Sequence, residues 1–261
     1  MSPRFFQLKE YIRHWLWRVD EHSLHSPFFF DFYTHVIRPK NPYALFEDIE
    51  QLRQGLLTHS ATVPLTDLGA PSPHFNNERR SIAAIARTSL LPTRWAQLFF
   101  RLAVHLRAKR MVELGTSMGI TTLYLSRIKD ASIATFEGNP SMASIARTHF
   151  EAMEAHNVTL VEGLIDKTLP DFLQNPAKID LAIMDANHRL EPTLQYFEWL
   201  GKRMSDQGVI ILDDIHYSPE MSRAWDTLKQ HTLVYASVDL FRCGLLFFNP
   251  DLHREHYTCS L

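Results

Sequence analysis

The sequence lacks several features that mark particular classes of protein. It has only two cysteines, Cys243 and Cys259, among 261 residues, which is too few for a disulfide framework and is typical of a reducing compartment. No run of residues reaches the roughly 18 apolar residues that a membrane span needs. Residues 1–22 carry charges throughout and have neither the apolar core nor the cleavage site of a signal peptide. We therefore expect a cytoplasmic protein.

An excess of charge of one sign is also missing. Lysine and arginine number 27 against 29 acidic residues, so the formal net charge is −2. A chain so close to neutral has no overall attraction to nucleic acid or to an anionic membrane, although a local patch stays open. With 45% hydrophobic and 21% charged residues, the composition excludes disorder and predicts a globular protein.

The first part of the chain has a helical pattern and no convincing strand. Phe5, Leu8, Ile12 and Trp15 recur at helical spacing. The aromatic run FFFDFYTHVI predicts one helix that ends before Pro39, and further helices are expected over about 45–57 and in two segments between 78 and 106. Residues 63–77 are rich in Pro, Asn and Ser and predict a loop. We assign residues 1–107 to a helical region that forms a lid or a subunit contact.

Two parts of this region are candidates for substrate contact. The aromatic stretch at 22–37 could form a lid over an apolar acceptor, but packing against the sheet or a sister subunit is the stronger interpretation. The loop TDLGAPSPHFNNERR is the second candidate. A zinc site at His22 and His25 is rejected because no further ligand lies nearby.

From about residue 108 the pattern changes to short apolar runs that alternate with amphipathic helices. This alternation predicts an α/β fold with a parallel sheet covered on both faces. The last two runs are separated only by Phe241-Arg242, so they are expected to form an antiparallel hairpin. We assign residues 108–261 to one domain. The predicted strands are RMVEL, SIATFE, VTLVEG, IDLAIMD, GVIILDD, LVYASVDL and CGLLFFN.

A glycine-containing turn follows the first of these strands, in VELGTSMGITT at 112–122. Gly115 permits a sharp turn, and Gly119 permits close approach of a ligand at the start of the next helix. The spacing G-x-x-x-G differs from the G-x-G-x-x-G of dinucleotide binders, so no pyrophosphate cradle is evident. Glu137 ends the second strand, 22 residues after Gly115, where a carboxylate can accept bonds from both ribose hydroxyls. A plain tight turn with Glu137 as a helix cap is the alternative, and the joint spacing favours the ligand site.

Three carboxylates converge at the ends of the fourth and fifth strands. Asp185 lies in MDANH, and Asp213 and Asp214 end the run ILDD. Grouped carboxylates repel unless a cation joins them, and Mg²⁺ prefers oxygen ligands. His188 follows Asp185 by three residues, and a neutral imidazole can take a proton near pH 7. The alternatives are helix caps for Asp185 and Asp214, a solvated Asp213, and an ordinary surface histidine among the fourteen present.

Taken together, VELGTSMG, Glu137, DANH and the closing hairpin resemble the class I S-adenosylmethionine-dependent methyltransferases over about residues 109–249. The resemblance implies a Rossmann-like, seven-stranded, mostly parallel sheet whose last strand is antiparallel. It implies S-adenosylmethionine as the cofactor, with the glycine turn at its methionine part, the end of strand two at the ribose and the turn after strand three at adenine. The implied cofactor residues are Glu113, Gly115, Thr116, Ser117, Gly119, Glu137, Gly138, Asn139, Gly163, Leu164 and Asp185.

The resemblance narrows to the catechol, caffeoyl-coenzyme A and sugar or natural-product O-methyltransferases. It implies that Asp185, Asp213 and Asp214 hold Mg²⁺, that His188 is the general base with Asp185 beside it, and that a small-molecule hydroxyl is methylated. Asp214 stands where the catechol branch usually has Asn. Arg189 and His216 are further, weaker candidates for substrate contact.

Other functions stay open. One is a metal-independent methyltransferase that acts on nitrogen, sulfur or carbon. Another is an RNA methyltransferase, against which the neutral composition argues. A third is a catalytically silent cofactor-binding module, because a fold does not determine function. The acceptor and the oligomeric state, including a homodimer, are open, and no membrane or nucleic-acid partner is expected.

Overall fold

A computed structural model describes residues 3–39, 45–64 and 79–261. Its α-helices are α1 (Pro3–Trp17), α2 (Pro27–Phe32), α3 (Glu47–Thr58), α4 (Ile82–Ser89), α5 (Thr93–His105), α6 (Ile120–Ser126), α7 (Pro140–Ala152), α8 (Ile165–Phe172), α9 (Leu190–Gly201) and α10 (Pro219–Leu228). Its strands are β1 (Thr62–Pro64), β2 (Arg79–Ser81), β3 (Arg110–Leu114), β4 (Ser132–Glu137), β5 (Val158–Glu162), β6 (Ile179–Met184), β7 (Met204–Asp213), β8 (Ala236–Asp239), β9 (Cys243–Phe247) and β10 (Glu255–Thr258).

The chain divides into two compact units. One comprises Met1–Lys40 and Asn175–Leu261, and the other comprises Asn41–Gln174. The predicted division at residue 107, into a helical region and a cofactor-binding domain, stays a prediction.

The unit of residues 41–174 is built on three parallel strands with β4 in the middle. Leu114 pairs with Phe136, and Phe136 pairs with Val161. Leu114 and Phe136 are fully buried, which is expected of parallel strands that are covered on both faces. Helices α3 to α5 precede these strands, and α6 to α8 connect and follow them.

The unit of residues 1–40 and 175–261 holds five strands in the order β10-β8-β9-β7-β6. Strands β6 and β7 are parallel, β9 is antiparallel to both β7 and β8, and β10 is parallel to β8. The hairpin predicted from the Phe241-Arg242 connection is therefore confirmed. Mostly parallel strands, one reversed strand and intervening helices confirm the expected α/β class.

The N-terminal aromatic run packs onto this unit's own sheet. Phe29 and Phe32 are buried, and the rings of Phe28, Phe29 and Phe32 meet Phe247 of β9 edge-on at centroid distances of 5.8, 5.4 and 5.5 Å. Such edge-to-face packing stabilises a core. The contacts support the packing interpretation of the stretch over that of a lid.

Some elements differ from the prediction. Strands β1 and β2 form a short antiparallel pair in a region where no strand was expected, and β10 adds a strand beyond the seven. All three strands were missed because each is only three or four residues long and contains few apolar residues. The predicted single helix at 28–37 is α2 followed by a π-helical turn, Tyr33–Ile37. The candidate loop TDLGAPSPHFNNERR lies outside the described residues except for its end in β2. Within the described residues, no helix has the length and hydrophobicity required to cross a bilayer.

Gly119 offers a test of the packing around the glycine turn. Its φ is +79°, and a Cβ there would lie 2.6 Å from Phe150 Cε1. Gly119→Ala is expected to lower the free energy of unfolding by about 2–4 kcal/mol, because a left-handed alanine and an overpacked contact each cost about 1–2 kcal/mol. Urea unfolding measures the change.

Gly55 provides the matched control, since it lies within α3 and a Cβ there would have no neighbour within 4 Å. Gly55→Ala should be neutral or stabilising by about 0.5–1 kcal/mol. Equal unfolding free energies for the two variants would contradict the described turn.

Candidate active site

The turn after β3 is tied to the neighbouring strand β4. The backbone N–H groups of Gly115 and Thr116 both donate to the Phe136 carbonyl oxygen, at 3.0 and 3.1 Å. Gly115, Ser117 and Gly119 all have positive φ, at 100°, 49° and 79°. This conformation turns the chain at the carboxyl end of β3, where open α/β sheets bind ligands.

Glu137, the last residue of β4, is fixed beside this turn. Its Oε2 accepts from the Ser117 N–H at 2.7 Å, and its Oε1 accepts from the Asn139 N–H at 2.8 Å. Burial raises the pKa of Glu137, while the N–H groups of Asn139, Ser117 and Gly138 oppose that rise. Each carboxylate oxygen keeps further lone-pair capacity, so both can accept ligand hydroxyls.

Two of the predicted cofactor residues are buried and stabilise the turn after β3. Glu113 is 2% exposed and accepts hydrogen bonds from the hydroxyls of Thr122 and Thr135. Thr116 is buried as well, and its hydroxyl lies 2.6 Å from that of Thr135. These residues hold the turn in shape, and their side chains are turned away from solvent.

The other predicted cofactor residues of this unit lie at the ends of β4 and β5, whereas Asp185, also predicted to bind the cofactor, follows β6 in the other unit. Asn139 is buried and caps α7 by accepting from the Ser141 and Met142 N–H groups. The Gly163 N–H donates to the Glu137 carbonyl at 2.9 Å, and its φ is 126°. Leu164 is 43% exposed, so its side chain is available to a flat apolar ring. The structure thus brings together Ser117, Glu137 and the turn after β5 within one unit.

The acidic residues at the ends of β6 and β7 belong to the other unit. Asp213 is 1% exposed, and its Oδ2 accepts from Arg242 Nη2 at 3.0 Å. Its Oδ1 is buried and has no hydrogen-bond partner among the residues that the structure describes. An unsatisfied oxygen on a buried carboxylate is unfavourable, and it marks a place where a cation or a ligand hydroxyl would bind.

The charges of neighbouring carboxylates act on the pKa values of Asp213 and Asp214. Burial first, and then the charges of Asp185 and Asp214, raise the pKa of Asp213 well above its ordinary range. Burial also raises the pKa of Asp214. No three His, Cys, Asp or Glu side chains in the described part of the chain are arranged as a ready-made metal site.

His188 lies within this acidic cluster of Asp185, Asp213 and Asp214. Its Nε2 is 3.4 Å from Asp185 Oδ1. Burial alone lowers the pKa of His188, but the hydrogen bond to Asp185 and the charges of all three aspartates raise it to about 9. The acidic cluster therefore favours the protonated form of His188, which can accept a proton only after it has lost its own.

The backbone around the cluster adopts left-handed conformations that non-glycine residues rarely take. Asn187 and His188 after β6 have φ of 70° and 36°, Asp214 after β7 has φ of 55°, and Phe241 in the hairpin has φ of 71°. Such conformations cost about 1 kcal/mol or more each and concentrate at functional sites. Their grouping here supports a functional role for the loops that carry the acidic residues.

Arg242 is a functional candidate that the sequence reasoning missed. It was noted only as part of a short connection, yet the antiparallel course of β9 brings it to the carboxyl end of β7. Its carbonyl accepts from the Ile215 N–H at 3.2 Å. The preceding Phe241 donates its N–H to Asp239 Oδ1 at 2.8 Å and stacks on the His216 ring at 5.4 Å. The only sequence signal was a cation in the loop that the hairpin places there.

A cavity of about 470 Å³ is lined by His216 and Asp239 and by residues of α1, α10 and β10. Within its lining, His216 Nε2 lies 2.8 Å from Asp239 Oδ2, and His14 Nε2 lies 3.3 Å from the Asp239 carbonyl oxygen. His216 was a weak candidate for substrate contact, and the structure pairs it with Asp239. Arg189, the other weak candidate, stands at the N-cap of α9.

Comparisons with known proteins agree with this geometry. Residues 112–215 match a family model described as a methyltransferase domain. A catechol O-methyltransferase of Mycobacterium tuberculosis is 31% identical over 117 residues, which are 44% of this chain and 51% of that protein. The chain spans about half the length of the curated relatives that it matches.

Solved structures share the fold. The O-methyltransferase TomG of Streptomyces achromogenes, involved in tomaymycin synthesis and solved in complex with SAM, has a TM-score of 0.54 at 23% identity and covers 61% of this chain and 82% of its own. An O-methyltransferase of Bacillus cereus in complex with SAH has a TM-score of 0.54 at 18% identity, covering 83% and 96%. These matches confirm the Rossmann-like fold.

The protonation of His188 can be measured directly. NMR titration of the histidine ring should give a pKa of about 9 for His188. Asp185→Asn should lower that pKa towards the ordinary value of about 6.5, because the variant removes both a hydrogen bond and a charge.

Asp226→Asn is the control, since Asp226 pairs with Lys229 on α10 and should leave the His188 titration unchanged. Both titrations are made in buffer that contains EDTA. A wild-type pKa near 6.5 under these conditions would show that the acidic cluster does not act on His188.

Proposed function

We propose that this chain, which carries a class I S-adenosylmethionine-dependent methyltransferase domain similar to O-methyltransferases, transfers a methyl group from S-adenosylmethionine to a hydroxyl of a small molecule. The observation that carries the proposal is Glu137, held by the Ser117 and Asn139 N–H groups at the end of β4. A carboxylate fixed in this way is suited to a ribose diol.

Cofactor binding would use the turn after β3 and the ends of β4 and β5. Backbone atoms around Ser117 and Gly119 would lie at the methionine part, and Leu164 would contact adenine. Glu113 and Thr116 would stabilise the turn and would not contact the cofactor, because their side chains are buried and hydrogen-bonded to other side chains. This division separates residues that touch the cofactor from residues that keep the turn in shape.

Methyl transfer requires that the acceptor oxygen attack the methyl carbon opposite the sulfonium sulfur. In such a transfer the carbon–oxygen bond would form as the carbon–sulfur bond broke, the electron pair would stay on sulfur, and the hydroxyl proton would pass to a base, for which His188 is the candidate. The enzyme's main contribution would be to hold the three atoms in line. Asp213 Oδ1, which has no partner among the described residues, could bind the acceptor hydroxyl by accepting a hydrogen bond from it.

Mg²⁺ is the cation that the resemblance implies for this cluster. A buried carboxylate oxygen without a partner beside two further aspartates suits a divalent ion. Asp213 through Oδ1, with Asp185 and Asp214, would hold it. A bound ion would favour the deprotonated form of an acceptor hydroxyl. By offsetting the aspartate charges it would also remove the reason for the raised pKa of His188, which could then accept the proton.

Metal-independent transfer is the second candidate, and a specific observation favours it. The Arg242 guanidinium already binds Asp213 at 3.0 Å, and Asp214 stands where the metal-dependent branch usually has Asn. In that case Arg242 would permanently offset the charge of Asp185, Asp213 and Asp214, and the acceptor would bind beside these aspartates without a metal ion.

The cofactor proposal predicts the effect of Glu137→Ala. Titration calorimetry with S-adenosylhomocysteine should show affinity lowered by roughly 10²-fold, since two hydrogen bonds to a charged group are lost at about 1.5 kcal/mol each. Glu151→Ala, an exposed position on α7, is the control and should bind normally. Unchanged affinity in Glu137→Ala, or tight binding of NAD, would contradict the assignment.

The metal proposal predicts saturable Mn²⁺ binding, measured by electron paramagnetic resonance as a probe of the Mg²⁺ site. Asp213→Asn should abolish this binding while leaving the S-adenosylhomocysteine affinity nearly unchanged, and EDTA should stop turnover. Asp206→Asn, an exposed residue of β7, is the matched control. Absence of Mn²⁺ binding together with chelator-resistant turnover would contradict the metal proposal and favour the alternative in which Arg242 is the counter-ion.

A further inference from the structure

Helix α1 presents apolar side chains to solvent. Leu8, Ile12, Trp15 and Leu16, which we call the outer stripe, are 55%, 50%, 51% and 64% exposed. Their spacing of four, three and one residues places them on one face of a helix. A contiguous row of large apolar side chains on a surface marks an interaction site.

The opposite face of α1 is polar and packs against the protein. Glu10 and His14 are 6% and 8% exposed. Gln7 Nε2 donates to the Tyr217 carbonyl at 3.0 Å, and His14 Nε2 lies 3.5 Å from Asp239 Oδ1. These contacts define which face is turned outward. The helix is therefore inverted relative to a globular surface helix, which buries its apolar face.

Basic residues border the outer stripe on both sides. At 100° per residue, Arg4 falls beside one edge of the stripe, and Lys9 and Arg13 fall beside the other. Arg18 follows the end of the helix, and its guanidinium lies 5.7 Å from the centroid of the Trp15 ring. All four are exposed. The only acid in the helix is Glu10, which is buried on the inner face. The near-zero net charge of the whole chain conceals this local concentration of cations.

We propose that α1 is an interfacial helix that binds the surface of an anionic lipid bilayer. Trp15 and the aliphatic side chains of the stripe would enter the boundary between headgroups and acyl chains, and the bordering cations would reach the lipid phosphates. Membrane-surface helices combine these properties: an apolar face with tryptophan, a border of lysine and arginine, and modest overall hydrophobicity.

A second copy of the chain fits this face poorly. Two α1 helices packed through their stripes would bring four exposed cations of one copy beside four of the other, with no exposed acid on the helix to pair with them. The 15-residue helix is about 22 Å long and ~10 Å wide, a footprint of roughly 220 Å². A stable interface needs about 800 Å² from each partner.

Co-sedimentation with vesicles tests the proposal on the full chain. The protein should pellet with vesicles of phosphatidylcholine containing 30 mol% phosphatidylglycerol, and much less with pure phosphatidylcholine. Lys9→Gln with Arg13→Gln should weaken partitioning about 25-fold, since each basic residue near the surface contributes about fivefold. Ile12→Glu with Trp15→Glu should abolish it, and added salt should weaken it.

Val104→Gln is the matched control, because Val104 is an exposed apolar residue on α5, and it should partition like the wild type. All variants should keep the wild-type circular dichroism and S-adenosylhomocysteine affinity, because the substituted side chains are exposed. Absence of binding to anionic vesicles, equal binding to both vesicle types, or a dimer in sedimentation velocity that Ile12→Glu with Trp15→Glu dissociates would each overturn the proposal.

Discussion

Burial of the Asp213 carboxylate governs the arrangement of the residues that follow β6 and β7. A carboxylate that is 1% exposed is tolerated only when cations and donors surround it. Arg242 satisfies one of its oxygens, and the other is left for a ligand. The hairpin between β8 and β9 places Arg242 beside Asp213. The charge of Asp213 also contributes to the raised pKa of His188.

The proposed cofactor site is also formed by residues at the ends of strands. Glu137 is held by backbone N–H groups from the turn after β3 and from the start of α7, so its geometry depends on the local backbone. Buried Glu113 and Thr116 keep that turn in place. Rigid hydrogen-bonded turns at the ends of parallel strands are what make this fold suitable for positioning a nucleoside.

Much of the fold and of the site could be predicted because it depends on local or repetitive signals. Gly115 and Gly119 have the positive φ that their spacing suggested, and a two-residue connection required the hairpin. Arg242, by contrast, meets Asp213 only through the pairing of β7 with β9, which no local pattern encodes. The strands β1, β2 and β10 are too short and polar to show a period. The apolar period of α1 predicted a helix correctly. The face that packs against the protein could not be predicted, because Glu10 and His14 bind partners that are more than 200 residues away in sequence.

Binding of a nucleoside cofactor at Glu137 can be tested with a crystal structure of the protein grown with S-adenosylhomocysteine. We expect both ribose hydroxyls within hydrogen-bond distance of the Glu137 carboxylate, with adenine beside Gly163 and Leu164. A ligand bound elsewhere, or a Glu137 carboxylate that makes only its backbone hydrogen bonds while the ligand is present, would contradict it.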